Sequence, residues 1–139
     1  VISGSIEYLA SATELAKSRG AKRVIPLEVS GAFHSTLMQP ALEGMSQAIS
    51  KLAFSDPIIP VVGNTTAQPL TSAAEVKSEL LQQICNCVQW QRSVEYMINA
   101  GVSSFIEVGP GQVLTGLIKR IDNRVQATAL IGNHNNGAP

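Results

Sequence analysis

The tetrapeptide Gly31-Ala32-Phe33-His34 contains the side chain best suited to chemistry in this chain. It follows an apolar, β-branched run at 23–30 that predicts a strand, and it precedes Ser35, which can begin a helix. Loops held between such elements often hold reactive groups, and imidazole, with an unperturbed pKa of about 6.5, accepts and returns protons near neutral pH. His34 is therefore a candidate general base. The alternative is a histidine that caps the following helix or fills a gap in the core.

The composition argues against nucleic-acid and membrane partners. The 139 residues carry a formal net charge of +0, so no electrostatic attraction to phosphates or anionic lipids is expected. No apolar run reaches the roughly 20 residues that span a bilayer. Cys85 and Cys87 lie one residue apart and lack the further ligands of a structural zinc site, which is typical of reduced thiols. We expect a cytoplasmic protein without a bound metal.

The apolar periodicity predicts an α/β fold in which helices and strands alternate. Helices are predicted from Ser5 to Gly20, from Ser35 or Thr36 to about Leu52, from a capping box at Ser72 and Glu75 to Ile84, from Asn86 to Gly101, and over 113–121. Strands are predicted over 1–3, 23–30, 57–62, 104–108 and 126–131. The polar tail at 133–137 predicts disorder and no role for His134.

The first residues predict that this chain is part of a longer protein. Val1 is not an initiator methionine, and 1–3 predicts a strand that is already under way. With the strand at 23–30 it would form a strand-helix-strand unit, which favours a mixed or parallel sheet. We therefore expect a preceding segment in the whole protein.

Three candidate sites follow predicted strands: His34, Asn64 and the turn Gly109-Pro110-Gly111. Ligands of open α/β sheets bind at the carboxyl ends of strands, so we expect these sites to share a pocket. Asn64 has an equally simple explanation as a turn residue. The glycine turn could present helix amides to an anion, or it could serve only as a tight turn between strand and helix.

Four blocks of the sequence resemble the C-terminal half of the malonyl-CoA:acyl carrier protein transacylase family. The blocks are VSGAFHS at 29–35, PVVGN at 60–64, VQWxxSV at 88–94 and FIEVGPGxVLxGL at 105–117. The resemblance implies the C-terminal part of an α/β-hydrolase-like acyltransferase domain over 31–139. It also implies the second half of a ferredoxin-like small subdomain over 1–30.

The resemblance also implies a mechanism. Such enzymes use a serine in a G-x-S-x-G motif, activated by a histidine, to move malonyl from malonyl-CoA to the phosphopantetheine thiol of holo-acyl carrier protein, in fatty acid or polyketide biosynthesis. His34 matches the histidine, and Gln83 matches the residue whose main-chain carbonyl orients the ring. No cofactor is implied. Without the resemblance, the sequence predicts only that Gln83 is a solvated helix residue.

Two further residues acquire expected roles. Phe33 matches a position where phenylalanine accompanies malonyl selection, because a large ring beside the imidazole would crowd an α-methyl group on the substrate. Discrimination of one methyl group is worth only about 1 to 3 kcal/mol, and core packing is the alternative role for Phe33. Asn64 is expected near the substrate. Cys87 stands where the family commonly has proline at the start of a helix, so it is either a thiol of lowered pKa or an inert small residue.

The chain departs from the family pattern in one decisive way: it contains no G-x-S-x-G motif. The resemblance therefore implies a base without a nucleophile, and we expect the chain alone to be inactive. Two other readings remain. One is a non-catalytic module that binds acyl carrier protein. The other is a nucleotide- or phosphate-binding domain that uses the turn Gly109-Pro110-Gly111, although no G-x-G-x-x-G or Walker motif accompanies it.

Overall fold

The computed structural model describes residues 1–130, which form a mixed helix and strand fold. Its five α-helices are α1 (Ile6–Ser18), α2 (Leu42–Ser50), α3 (Ala73–Cys85), α4 (Trp90–Asn99) and α5 (Val113–Ile121). A 3₁₀ helix spans Thr36–Ala41, and the strands are β1 (Val61–Val62), β2 (Pro69–Leu70), β3 (Ser104–Val108) and β4 (Gln126–Leu130). The chain divides into two compact units, Val1–Val88 and Gln89–Pro139. The predicted residues Ile131 and His134 lie outside the described part.

In the first unit, α3 is the helix against which the 3₁₀ helix and α2 pack. It begins with the predicted capping box: the Ser72 hydroxyl accepts from the Glu75 amide at 3.2 Å, and the Glu75 carboxylate accepts from the Ser72 amide at 3.0 Å. These reciprocal bonds satisfy helix N–H groups that otherwise have no partner. The 3₁₀ helix and α2 both pack against α3, with Ile49 of α2 buried.

The strands predicted at 1–3 and 23–30 are wrong, since neither segment forms a strand in the described residues. A strand is defined by hydrogen bonds to a neighbour, and the described chain supplies none to these segments. Ile25, Leu27 and Val29 are accordingly each more than 60% exposed. The strand predicted at 57–62 shortens to the two residues of β1, which pair antiparallel with β2.

Two helix boundaries also differ from prediction. The helix expected from Ser35 to Leu52 starts as the 3₁₀ helix and becomes α-helical only at Leu42, because Pro40 has no N–H and clashes with the carbonyl one α-turn before it. Asn86 does not begin α4. Its side chain donates to the Gln82 carbonyl at 2.7 Å and so ends α3 instead.

The second unit contains the strand-helix-strand order that the start of the chain lacks. Strands β3 and β4 run parallel, with Ser104 opposite Gln126, and α5 connects them. Val94 of α4, Ile118 of α5 and Ala127 of β4 form its core. The predicted elements at 104–108 and 113–121 are confirmed here, and so is the α/β class.

No helix among the described residues combines the length and the apolar character needed to cross a membrane. Within residues 1–130 there is also no group of three or more His, Cys, Asp or Glu side chains placed to hold a metal ion.

Candidate active site

His34 occupies a strained position in the loop before the 3₁₀ helix. Its φ is 59°, in the left-handed region that residues with a Cβ seldom adopt. The loop is closed around it by the Ser35 hydroxyl, which donates to the Ala32 carbonyl at 2.6 Å. Such backbone conformations persist only where the surroundings fix them, and they concentrate at functional sites. The half-buried imidazole is thus held in one position by its own loop.

The His34 ring is held by α3 through its Nδ1 atom. Nδ1 lies 2.6 Å from the main-chain carbonyl oxygen of Gln83. This carbonyl is in the last turn of α3, where carbonyls have no partner within the helix and where the helix dipole favours a positive or proton-donating group. A carbonyl oxygen can only accept, so Nδ1 carries the proton in the neutral ring. Nε2 is then left with its lone pair, which is the form a general base requires.

Asn64 contacts the same residue of α3, Gln83, as His34 does. It lies in the turn after β1, and its Nδ2 donates to the Gln83 side-chain oxygen Oε1 at 3.4 Å. Gln83 therefore contacts two predicted site residues, His34 through its main chain and Asn64 through its side chain. The structure brings these three residues together, while their roles in a reaction remain predictions.

Sequence reasoning missed Glu79, which fixes the turn that holds Asn64. Its two carboxylate oxygens accept from the Thr65 amide at 2.8 Å and from the Thr65 hydroxyl at 2.7 Å, and the residue is only 8% exposed. Glu75, Glu79 and Gln83 recur every four residues and so lie on one face of α3. That spacing was the signal that could have identified Glu79.

Phe33 lies at the surface of the described residues rather than in their core. It is 45% exposed, and its ring passes within 3.5 Å of the point where a Cβ on Gly31 would stand. Met38 contributes a sulfur atom beside the same point, at 3.8 Å. The core-packing alternative for Phe33 is therefore not supported by the residues that the structure describes.

The glycine turn of the second unit leads into α5, two of whose first amides are bound by a carboxylate of the chain itself. Gly109 and Gly111 have φ values of 146° and 87°, which requires glycine. The Glu107 carboxylate accepts from the Thr115 amide at 2.8 Å and from the Leu114 amide at 3.2 Å, at the start of α5. These bonds hold the pKa of Glu107 below its ordinary value. Because a carboxylate already binds the Leu114 and Thr115 amides, these two are not open to a nucleotide or phosphate, while binding at the turn itself stays a prediction.

The expectation for Cys87 also changes. Helix α4 begins at Trp90 with Gln89 before it, so Cys87 is not at the first position of a helix. The helix dipole acts only within about the first turn, so the position of Cys87 no longer supports a reactive thiol.

Known proteins resemble this chain in sequence and in fold. No family model matches the chain. The chain is 43% identical over 130 residues to the malonyl CoA-acyl carrier protein transacylase of Bacillus subtilis, and this covers 94% of the chain and 41% of that protein. The Escherichia coli K12 transacylase gives 43% identity over 130 residues, 94% of this chain and 42% of that one.

Solved structures agree with the sequence comparison. The malonyl-CoA:acyl carrier protein transacylase of Xanthomonas oryzae matches with a TM-score of 0.88 and 34% identity, covering 94% of this chain and 41% of that one. A malonyl-transacylase solved in complex with a type II polyketide synthase acyl-carrier protein matches with a TM-score of 0.87 and 38% identity, covering 91% and 41% of the two chains. The chain spans about two-fifths of the length of the curated relatives it matches. In sequence and in fold, it corresponds to the C-terminal part of malonyl CoA-acyl carrier protein transacylases.

Proposed function

We propose that the protein containing this chain transfers malonyl from malonyl-CoA to the phosphopantetheine thiol of acyl carrier protein, with His34 as the general base. The observation that carries the proposal is the 2.6 Å contact between His34 Nδ1 and the Gln83 carbonyl oxygen. It gives the imidazole the tautomer that base catalysis needs. The relatives named above, which share more than 40% identity with the chain, supply the reaction class.

The chemistry divides into two acyl transfers through a serine ester. His34 Nε2 takes the proton of a serine hydroxyl as its oxygen attacks the thioester carbonyl of malonyl-CoA. When the tetrahedral intermediate collapses, the bond to sulfur breaks and the imidazolium protonates the departing thiolate. The pantetheine thiol of acyl carrier protein then repeats these steps in reverse. Each proton transfer of this kind contributes about 10²- to 10⁴-fold in rate.

The Gln83 carbonyl does two things during this cycle. It keeps Nδ1 protonated in the neutral ring, so that Nε2 has its lone pair whenever the imidazole acts as the base. It also accepts a hydrogen bond from the transient imidazolium at the C-terminal end of α3, where the helix dipole stabilises positive charge. A neutral carbonyl thereby takes the orienting position that a carboxylate fills in Ser-His-Asp triads.

The residues beside His34 are proposed to select and hold the acyl group. The ring of Phe33, adjacent in sequence and partly exposed, disfavours an α-methyl substituent and so favours malonyl over methylmalonyl. The exposed carboxamide of Asn64, held beside Gln83, is proposed to contact the substrate. Neither role needs a cofactor.

The remaining parts of the reaction lie outside the 139 residues. No G-x-S-x-G motif occurs in them, so the proposal requires a serine from another part of the protein. We propose that 1–30 completes a ferredoxin-like subdomain and 31–139 a hydrolase-like one. We further propose that the whole protein acts in the cytoplasm, in fatty acid or polyketide biosynthesis. Acyl carrier protein is the proposed protein partner, supported by the relative that was solved bound to one.

The test is a transfer assay on the complete gene product, beginning with the coding sequence upstream of Val1. We expect an in-frame G-x-S-x-G segment there, malonyl transfer by the complete protein, and a loss of at least about 10²-fold in His34→Ala. The matched control is His134→Ala, which we expect to leave transfer unchanged. The 139-residue chain alone should transfer nothing.

Two results would contradict the proposal. Wild-type rates from the isolated chain would remove the need for an outside serine. A complete protein that binds acyl carrier protein but never becomes acylated would instead establish the non-catalytic binding module, whose motivation is the missing nucleophile motif.

A further inference from the structure

We propose that Glu79 is a positioning residue for His34, acting through the turn at 63–67 on the end of α3, where the Gln83 carbonyl accepts a hydrogen bond from the imidazole N–H. The inference rests on the proposed function, because it concerns how the base of that reaction is held. It assigns a purpose to a buried carboxylate that the chemistry itself does not use.

The first support is the way the Glu79 carboxylate is bound. A buried carboxylate is unfavourable unless its oxygens are hydrogen-bonded, and here both oxygens bind one residue, Thr65, at its amide and its hydroxyl. The approach is close enough that a Cβ on Gly63 would stand 2.9 Å from Oε2. The turn is therefore clamped to α3 by a charged acceptor rather than simply resting on it.

The second support is the connection from this turn to His34. Asn64 is the neighbour of Thr65, and its amide reaches the Gln83 side chain. Gln83 follows Glu79 by one helical turn on the same face of α3, and its carbonyl holds the His34 ring. The clamp at Glu79, in the middle of α3, thus holds the turn whose Asn64 reaches Gln83 in the last turn of the same helix.

The third support is the location of backbone strain. Among the described residues, the non-glycine residues with φ in the left-handed region are His34, at 59°, and Ala67, at 55°. One lies in the loop held by Gln83, and the other lies in the turn clamped by Glu79. Strained residues keep such conformations only where surrounding contacts over-determine them, and α3 provides those contacts to both segments.

The test compares three variants of the complete gene product in the transfer assay. Glu79→Ala removes both hydrogen bonds to Thr65, and we expect kcat to fall by about 10- to 100-fold, because the base is displaced from its productive geometry. Glu79→Gln keeps an acceptor for the Thr65 amide and should restore most of kcat. The matched control is Glu75→Ala, one helical turn earlier, which removes the capping box and lowers the melting temperature but should leave kcat of the folded protein unchanged.

A direct measurement on His34 accompanies the kinetics. In protein labelled with ¹⁵N-histidine, the ring signals of His34 are assigned by comparison with His34→Ala. Loss of the clamp should mix the two ring tautomers in Glu79→Ala but not in Glu75→Ala. If Glu79→Ala does not fold, Thr65→Val, which removes only the hydroxyl partner, should show the same changes to a smaller extent.

The outcomes separate this inference from the proposed function. If Glu79→Ala, or Thr65→Val in its place, loses no more kcat than Glu75→Ala and keeps a single His34 tautomer, the positioning role is wrong while transfer stands. If the complete protein shows no malonyl transfer, the proposed function fails. In that case the ¹⁵N signals of the His34 ring alone test the positioning role of Glu79. Unchanged signals in Glu79→Ala overturn the inference, and mixed tautomers support it.

Discussion

Replacing Gly63 by alanine tests the packing of the turn against α3. Gly63 is buried, and a Cβ there would stand 2.8 Å from Thr66 Oγ1, 2.9 Å from Glu79 Oε2 and 3.1 Å from Glu79 Cδ. A Cβ essentially never lies within 3.0 Å of a non-bonded heavy atom, so the Glu79 carboxylate has to shift, and we expect it to lose its 2.7 Å hydrogen bond to the Thr65 hydroxyl. Gly63→Ala should therefore break the clamp without removing any of its atoms.

The magnitude follows from the bond that is lost. A hydrogen bond to a charged group contributes about 1.5 to 3 kcal/mol. Alanine returns about 0.4 to 1 kcal/mol, because the unfolded chain becomes less flexible. We therefore expect Gly63→Ala to lower the free energy of unfolding by about 0.5 to 2.6 kcal/mol.

Gly44→Ala is the matched control for this experiment. Gly44 lies inside α2, and nothing stands within 4 Å of the Cβ it would acquire. The same chemical change should there raise the free energy of unfolding by about 0.5 to 1 kcal/mol, since alanine is the better helix former. Urea unfolding of both variants beside the parent protein measures the contrast. If Gly63→Ala is as stable as Gly44→Ala, the close contact between the turn and Glu79 is wrong.

Three further predictions concern stability and specificity. The hydrogen bond from the Thr115 amide is the main cause of the lowered pKa of Glu107. The ionised Glu107 carboxylate therefore stabilises the fold above the ordinary pKa of 4.5, and this stabilisation is lost as the pH falls through the lower pKa of the folded state. Glu107→Gln should flatten this dependence of the melting temperature on acid pH, and an unchanged profile would contradict the hydrogen bond. Ile118, 4% exposed, should cost about 2 to 5 kcal/mol when replaced by alanine. Replacing Val113 by alanine, on the same helix but 71% exposed, should change the free energy of unfolding in urea by less than about 0.5 kcal/mol. Equal losses at both positions would refute the assignment of Ile118 to the core. Phe33→Ala should raise methylmalonyl transfer relative to malonyl by about 10- to 200-fold in competition assays, and an unchanged ratio would remove Phe33 from selectivity.

Elements fixed by local interactions were predictable from the sequence. The start of α3 depends on Ser72 and Glu75, three residues apart, and it was located correctly. Helix α5 and strand β3 were also located, because each has the full periodicity of its element within its own length. In contrast, the run at 23–30 has strand composition, but its pairing depends on residues elsewhere, and the described chain provides no partner.

The site was predictable only in part, for the same reason. His34 stood out because of its residue type and its position in a loop. Its contact with Gln83 joins residues 49 positions apart, and only the family resemblance suggested it. The left-handed backbone at His34 could not be predicted, because the residue there is not the glycine that usually indicates this conformation. Thr65, the hydrogen-bond partner of Glu79, lies 14 positions away in a turn. Contacts between segments distant in sequence leave no periodic pattern.

The orientation of the His34 ring is the central claim, and ¹⁵N spectroscopy of the imidazole nitrogens tests it most directly. The measurement uses histidine-labelled complete protein at a pH where the ring is neutral, with His34→Ala to assign the signals. The contact with the Gln83 carbonyl predicts a protonated Nδ1 and an unprotonated Nε2. A neutral ring protonated at Nε2 would have its lone pair on Nδ1, so Nε2 could not accept the serine proton, and this result would contradict the role of His34 as the base.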